Sequence, residues 1–400
     1  MKRKSYDGYH SFQYLEPGVD LRDFALVPQI GRVPSRRVEV SDEQERRVQK
    51  LLEDNLVVSL HDHAHVAPVD LGDMPEYRRQ GRDWTGYEGL SVSGLDAIFD
   101  ALMGGTATIT SRAGWKWSDI IFDLGMRLSD IAHQDMVVKA GTIAEIREAK
   151  RAGNIAFIPS LEAATPIENE IDRLDVLYGL GIRCSGIAYS ESNALGSGLR
   201  EPRDGGLTDL GSQAVRRMNR LGMAIDLSHA SDQTCLDIIA TSDRPVFVTH
   251  AGARTLWDTK RMKPDSVLRA CAERGGIIGI SAAANTTITY TKRRHSLESV
   301  MEHFVYVAQL VGIDHVAFGP DIFFGDHVGM HDVFAKQFSL SAARGSLEFE
   351  HIQYVDGIEN PSESFPNIVR WLVTHGYSDG DIGKVIGGNV MRALAEVWPR

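Results

Sequence analysis

One unit of hydrophobic patterning recurs along the chain: an amphipathic stretch with helical spacing, a glycine, a short apolar run and then a polar side chain. AEIREAKRAG leads into IAFIPSLE, TDLGSQAVRRMNRLG into MAIDLSH, DSVLRACAERGG into IIGIS, and LESVMEHFVYVAQLVGID into HVAFGPD. An unbroken apolar run suits a strand covered on both faces, and glycine suits the helix stop before it, so each unit reads as a parallel strand with its covering helix. The pattern predicts eight strands, at 56–61, 106–111, 155–162, 183–189, 223–229, 245–250, 276–281 and 315–321. Eight successive units favour a (β/α)8 TIM barrel over an open doubly wound sheet, and the chain has neither a GxGxxG nor a Walker pattern.

Ahead of the first strand, Ser41 and Gln44 make a capping-box signature, and Val48, Leu51 and Leu52 share one face of the helix that follows, which ends near Asn55. Residues 1–40 carry no such periodicity. The expected organisation is an N-terminal arm over 1–40 and a single α/β barrel domain over 41–400, with long loops at the C-terminal face.

Functional side chains of such a barrel gather at the C-terminal ends of its strands. The eight predicted ends carry His61 with His63, Ser111, Glu162, Tyr189, His229, His250, Ser281 and Asp321. Each alone suits a bland role: a histidine hydrogen-bonded in a loop, Glu162 paired with an arginine, Asp321 capping a helix. Together they suit a metal, because HxH on an extended segment sends two imidazoles to one side, and imidazole with carboxylate binds zinc and similar divalent ions without thiolate. His65 has the same spacing from His63 but lies further along, and ranks below His61.

Composition narrows the class. Lys and Arg total 43 against 54 Asp and Glu, a net charge of −11, which lacks the basic footprint of a general nucleic-acid binder. Hydrophobic residues at 43 % support a sizeable core. Three scattered cysteines make neither a disulfide framework nor a thiolate metal site, and they fit a reducing compartment. The basic start MKRKSYDGYHSFQYLEPGVD lacks the apolar run of a signal peptide, and no apolar run reaches the ~18 residues of a membrane span. A cytoplasmic protein with a small-molecule substrate, no nucleic-acid partner and no membrane association is expected.

MNRLGMAIDLSH and the later PVFVTHAGAR resemble the membrane (renal) dipeptidase family, peptidase family M19, of the metal-dependent amidohydrolase superfamily. RAGNIAFIPSLEAA, KRMKPDSVLRACAERGGIIGIS, LVGIDHVAFGPDIFFG and GGNVMRAL follow the family's order, so the similarity spans about residues 50–398. The resemblance implies a zinc-dependent dipeptidase-like hydrolase with two divalent ions and a metal-bridging hydroxide, and a homodimer. It makes His61 and His63 ligands of the first metal, Glu162 the bridging carboxylate, His229 and His250 ligands of the second, Asp321 the acid/base, and Arg261 the grip on the substrate carboxylate. Read from the residues alone, Arg261 equally suits a solvated charge beside Lys260 and Lys263.

Several positions depart from the family pattern. His61-Asp62-His63 stands for His-x-Asp, Ala188-Tyr189 for Thr-His, Glu162-Ala163 for Glu-Gly, Arg261-Met262 for Arg-Asn, and Asp321-Ile322-Phe323-Phe324-Gly325 for a more acidic tail. Tyr189 would then stand where the family's oxyanion-stabilising histidine does, as a catalytic and substrate-binding residue. Phe323 and Phe324, with Trp84, Trp115 and Trp117, suit either a more apolar pocket or packing beneath the rim. These departures keep open a second reaction class, hydrolysis of a non-peptide amide, lactone, cyclic imide or carbon–carbon bond, and a third reading as a binding barrel without catalysis.

Overall fold

A computed structural model describes residues 6–102, 116–335 and 345–399. Its sheet contains ten strands: β1 (Val58–Val66), β2 (Ala97–Ala101), β3 (Val137–Lys139), β4 (Ile155–Leu161), β5 (Cys184–Gly186), β6 (Ala224–Asp226), β7 (Phe247–Ala251), β8 (Ile277–Ile280), β9 (Val316–Phe318) and β10 (Phe323–Phe324). All pairings are parallel, in the order β10-β1-β2-β4-β5-β6-β7-β8-β9, with β3 alongside the start of β4. The Asp321 amide donates to the His61 carbonyl at 2.9 Å and brings the last strand back to the first. The fold is therefore the α/β barrel architecture that the repeating pattern predicts, with helices between successive strands from β1 to β9.

Two strand expectations change. The predicted second strand at 106–111 lies outside the described residues, and the barrel's second place is held by β2, whose residues Ala97–Ala101 pair with β1 and β4. AIFDA is short and carries Asp100 in its middle, so it breaks the apolar-run signal. The predicted strand at 183–189 contributes only Cys184–Gly186 to the ladder, and β3 and β10 are additional.

The walls explain the apolar runs. One cluster of buried residues takes Val58, Phe99, Ile158, Ala224, Phe247 and Ala317 from the strands, together with Val390, Leu394 and Trp398 of the C-terminal segment. Alternate residues such as Ile98, Phe157, Ile225 and Val248 pack in the layer of covering helices. Both faces of the strands are thus dry, β3 excepted, where Lys139 is exposed.

The helix Asp42–Asp54 starts where its capping box places it, with Ser41 and Gln44 exchanging side-chain and backbone hydrogen bonds. Residues 6–41 form turns and isolated bridges without helix or strand. They are nonetheless tied down. The buried Asp130 carboxylate accepts from Tyr9 Oη (2.8 Å), Ser11 Oγ (2.8 Å), the Phe12 amide (2.8 Å) and Tyr87 Oη (2.9 Å). Further along, the Val27 amide donates to the Ala67 carbonyl beyond β1, and Arg32 pairs with Glu359 at 2.7 Å. Among the described residues no helix is long and apolar enough to cross a membrane.

Glu45 joins the first helix to the helix Ser364–Thr374 through Arg370, at 2.8 Å and 3.1 Å. The Arg370 hydrogen bonds pull the Glu45 carboxyl from the usual 4.5 down to about 2. A carboxyl depressed on folding stabilises the native state above its unfolded pKa and loses that contribution as pH falls toward its folded one. Glu45→Gln is expected to lower the melting temperature by about 1–3 °C at pH 7. In thermal melts the gap to the parent narrows as pH drops below about 4.5.

Candidate metal centre

Two of the barrel strands break their period-2 alternation where it matters. In β1 the pairing register shifts between Ser59 and Asp62, so Val58 and Leu60 face the interior cluster while His61 and His63, of opposite parity, face the interior beyond it. In β7 the register shifts between Val248 and Ala251, and Phe247 and His250 share the interior in the same way. A bulge re-aims a side chain without interrupting the strand. Glu162 follows β4 directly, and a Cβ on Gly186 of the neighbouring strand would stand 2.1 Å from the Glu162 carbonyl oxygen, so glycine is required there for the carboxylate to sit where it does.

Glu162 divides its two oxygens. Oε1 lies 3.5 Å from His63 Nε2 and 3.9 Å from His61 Nε2, while Oε2 lies 2.9 Å from His229 Nε2 and 3.6 Å from His250 Nε2. Within the pairs, the Nε2 atoms of His61 and His63 are 3.4 Å apart and those of His229 and His250 are 3.0 Å apart. Asp321 faces the first pair, with Oδ1 at 3.2 Å from His63 and 3.6 Å from His61, and its Oδ2 is 4.0 Å from His250. Asp321 holds a left-handed backbone, φ 64°, which Asp tolerates better than most residues at a cost of about 1 kcal/mol or more.

The second nitrogens of the rings are anchored. His63 Nδ1 donates to the Ala101 carbonyl at 3.1 Å, and His250 Nδ1 meets Thr249 Oγ1 at 2.7 Å, which leaves Nε2 directed inward. Asp226, at the end of β6, accepts from Ser228 Oγ (2.6 Å) and the Thr249 amide (2.9 Å), and Ser228 Oγ accepts from the His250 amide. This network fixes the backbones of His229 and His250 relative to each other.

All six groups are buried, and burial shapes their protonation. It pushes the imidazoles of His61, His229 and His250 well below their ordinary range, and it pushes the Glu162 carboxyl upward. Burial acts on His63 in the same sense, but its hydrogen bond with Asp321 and the charge of Glu162 prevail and carry it to about 9. On Asp321 the His63 hydrogen bond and the nearby imidazoles outweigh burial and hold the carboxyl well below the usual range. Neutral imidazoles are the ligating form. Glu162 Oε1 is buried without a hydrogen-bond partner, and three groups of converging donors are present: His61, His63 and Glu162; His61, His250 and Asp321; Glu162, His229 and His250. Divalent cations fit this oxygen-and-nitrogen donor set.

Arg261 is 4 % exposed, with Nη2 3.8 Å from Asp321 Oδ2 and Nη1 donating to the Ser228 carbonyl at 3.4 Å. It is therefore not a solvated charge, and neither is Lys263, which is fully buried and donates to the Ala230 carbonyl at 2.7 Å. The Tyr189 ring stacks on His229, centroids 3.9 Å apart. His65 turns away to Arg127, whose Nε is also 4.0 Å from Asp100 Oδ2. Ser281 accepts from the Ala283 amide in a turn, and Ser111 and Trp115 lie outside the described residues.

Of the remaining aromatics, Phe324 is in the main core, and Trp117 lies under Arg173 at 4.9 Å. Phe323 is buried with Met74, Tyr77, Met330 and Phe334, and Trp84 and Tyr189 pack against that cluster. Sequence reading missed Asp100, Arg127 and Asp226. Asp226 sits inside the distinctive IDLSH segment and Asp100 inside an otherwise apolar strand, so a charged residue within a buried run was the available signal.

The family model for membrane dipeptidase, peptidase family M19, matches residues 124–336. Dipeptidase verJ of Clonostachys rogersoniana is 28 % identical over 84 % of this chain and 77 % of its own length. Dipeptidase tcpJ of Claviceps purpurea is 29 % identical over 69 % of this chain, which spans 58 % of that relative. Among solved structures, an amidohydrolase from Pseudomonas aeruginosa superposes with a TM-score of 0.70 at 26 % identity, covering 88 % of this chain and 99 % of that one. The probable dipeptidase PvdM of the same organism has the same TM-score at 20 % identity, over 90 % and 99 %, and shares the fold. With more than half of its residues matched by the family model, the chain belongs to the membrane dipeptidase family, M19.

Proposed function

We propose that the protein is a zinc-dependent hydrolase that cleaves the amide bond of a dipeptide or a similar small carboxylated substrate. The observation that carries this reading is the division of the Glu162 oxygens between the His61/His63 and His229/His250 pairs. His61, His63 and Glu162 would hold one ion, and Glu162, His229 and His250 the other. When bound, such a pair of cations supplies Lewis acidity and brings the pKa of water toward neutrality.

The chain's own groups do the rest. The Asp321 carboxylate, kept ionised by the imidazoles around it, accepts a proton from the attacking water and returns it to the leaving nitrogen. Arg261 grips the substrate carboxylate with its guanidinium, whose Nη2 is buried without a hydrogen-bond partner. Tyr189 donates its hydroxyl proton in a hydrogen bond to the oxygen that gains charge at the tetrahedral carbon. Burial raises the Tyr189 phenol well above its usual range, which keeps that proton in place.

Residues 41–400 would act as one barrel unit, with residues 1–40 as its N-terminal arm. The three unpaired, buried cysteines support a reducing, cytoplasmic setting, and homodimerisation follows from family resemblance. A second reading, hydrolysis of a non-peptide amide, lactone, cyclic imide or carbon–carbon bond by the same centre, is favoured by Tyr189 packing against the Phe323 cluster. A panel of L,L and L,D dipeptides separates the two: efficient turnover supports the first, and uniform inactivity with intact metal content supports the second.

Three expectations follow from these roles. Glu162→Gln removes the shared anion, so metal analysis of the purified variant should show loss of at least one ion and activity should fall to background. Tyr189→Phe should lower kcat by about 10²–10³ with little change in KM, measured on the best dipeptide. Arg261→Met should raise KM by about 10–100-fold for a free dipeptide, the value of a hydrogen bond to a charged group, and leave a C-terminally amidated analogue unaffected.

A further inference from the structure

Beyond Asp321 the chain passes through β10 into a short helix, His327–Val333, which carries two histidines four residues apart. Residues at that spacing stand one above the other on a helix face. Here the Nε2 atoms of His327 and His331 come within 3.1 Å. The corresponding separations in the metal centre are 3.4 Å for His61/His63 and 3.0 Å for His229/His250. Two imidazoles bound to one ion at ~2.0–2.1 Å, at angles between a right angle and tetrahedral, hold their nitrogens about 2.9–3.4 Å apart. All three pairs fit that one geometry.

From this convergence we propose that His327 and His331 form a third metal site, separate from the two-metal centre, for a divalent transition ion that favours imidazole, such as Zn²⁺, Ni²⁺ or Cu²⁺. Borderline ions of this kind prefer nitrogen donors, whereas Mg²⁺ and Ca²⁺ prefer oxygen. His327 is 2 % exposed and lies near the Phe323 ring, while His331 is only partly buried and gives the ion a way in. Among the described residues no third His, Cys, Asp or Glu ligand atom converges on the pair.

The test is equilibrium dialysis of the full chain against rising free Zn²⁺, with bound metal counted by mass spectrometry. The parent is expected to bind one equivalent more than His331→Ala at high free Zn²⁺, and His331→Gln is expected to match the alanine variant. Circular dichroism of both variants verifies their fold. Cu²⁺ added to the zinc-loaded parent should give an electron paramagnetic resonance signal split by two nitrogens, absent from both variants. Equal metal counts in parent and variants, or a two-nitrogen signal that survives His331→Gln, would overturn the site and leave a plain hydrogen bond between two imidazoles. A third equivalent with no dipeptide hydrolysis at any metal level supports the site while overturning the functional reading.

Discussion

Four imidazoles and two carboxylates share a mouth of the barrel from which water is largely excluded, and the cost of holding them there governs the surrounding structure. An isolated carboxylate in such a place is expensive, and a carboxylate oxygen with no donor is more so. Glu162 Oε1 has none, and burial drives the imidazoles of His61, His229 and His250 toward their neutral, electron-pair-bearing form. The arrangement is balanced when positive charge is supplied from outside the polypeptide. That is why nearby structure is devoted to orienting acceptors: the Ala101 carbonyl on His63, the Thr249 hydroxyl on His250, and Asp226 joining β6 to β7.

The same demand accounts for irregularities in an otherwise regular wall. A strict alternation along β1 would send Val58, Leu60 and Asp62 inward together and turn both histidines into the helix layer. The register shift between Ser59 and Asp62 allows the lower strand to fill the core with aliphatic side chains and the upper strand to present ligands. Asp62, turned the other way, accepts from the Ile322 amide at 2.7 Å and fastens the segment after Asp321 against β1. β7 uses the same device for His250.

Much of this was legible in the sequence because it depends on local order. Apolar runs behind glycines marked most of the strands, and the polar residue after each run marked Glu162, His229 and Asp321 as rim positions. The second barrel strand was misplaced because a buried aspartate interrupts it, and a charge inside a strand looks like the end of one. Arg127 was invisible for a different reason: its importance lies in meeting Asp100 and His65 across the fold, and no periodicity encodes such a meeting. Arg261 was ambiguous because a cation between two lysines reads as surface, whereas the loop after β7 folds it and Lys263 inward.

The ring of strands is closed by bonds between backbone atoms, among them that from the Asp321 amide to the His61 carbonyl. Both residues belong to the proposed chemistry, yet their side chains take no part in the closure. Exchange of the His61 side chain therefore leaves that hydrogen bond its donor and acceptor, whereas at Asp321 the left-handed backbone, φ 64°, still favours Asp or Asn. The side chains at the mouth are thus set by the chemistry they face and not by the closure of the ring.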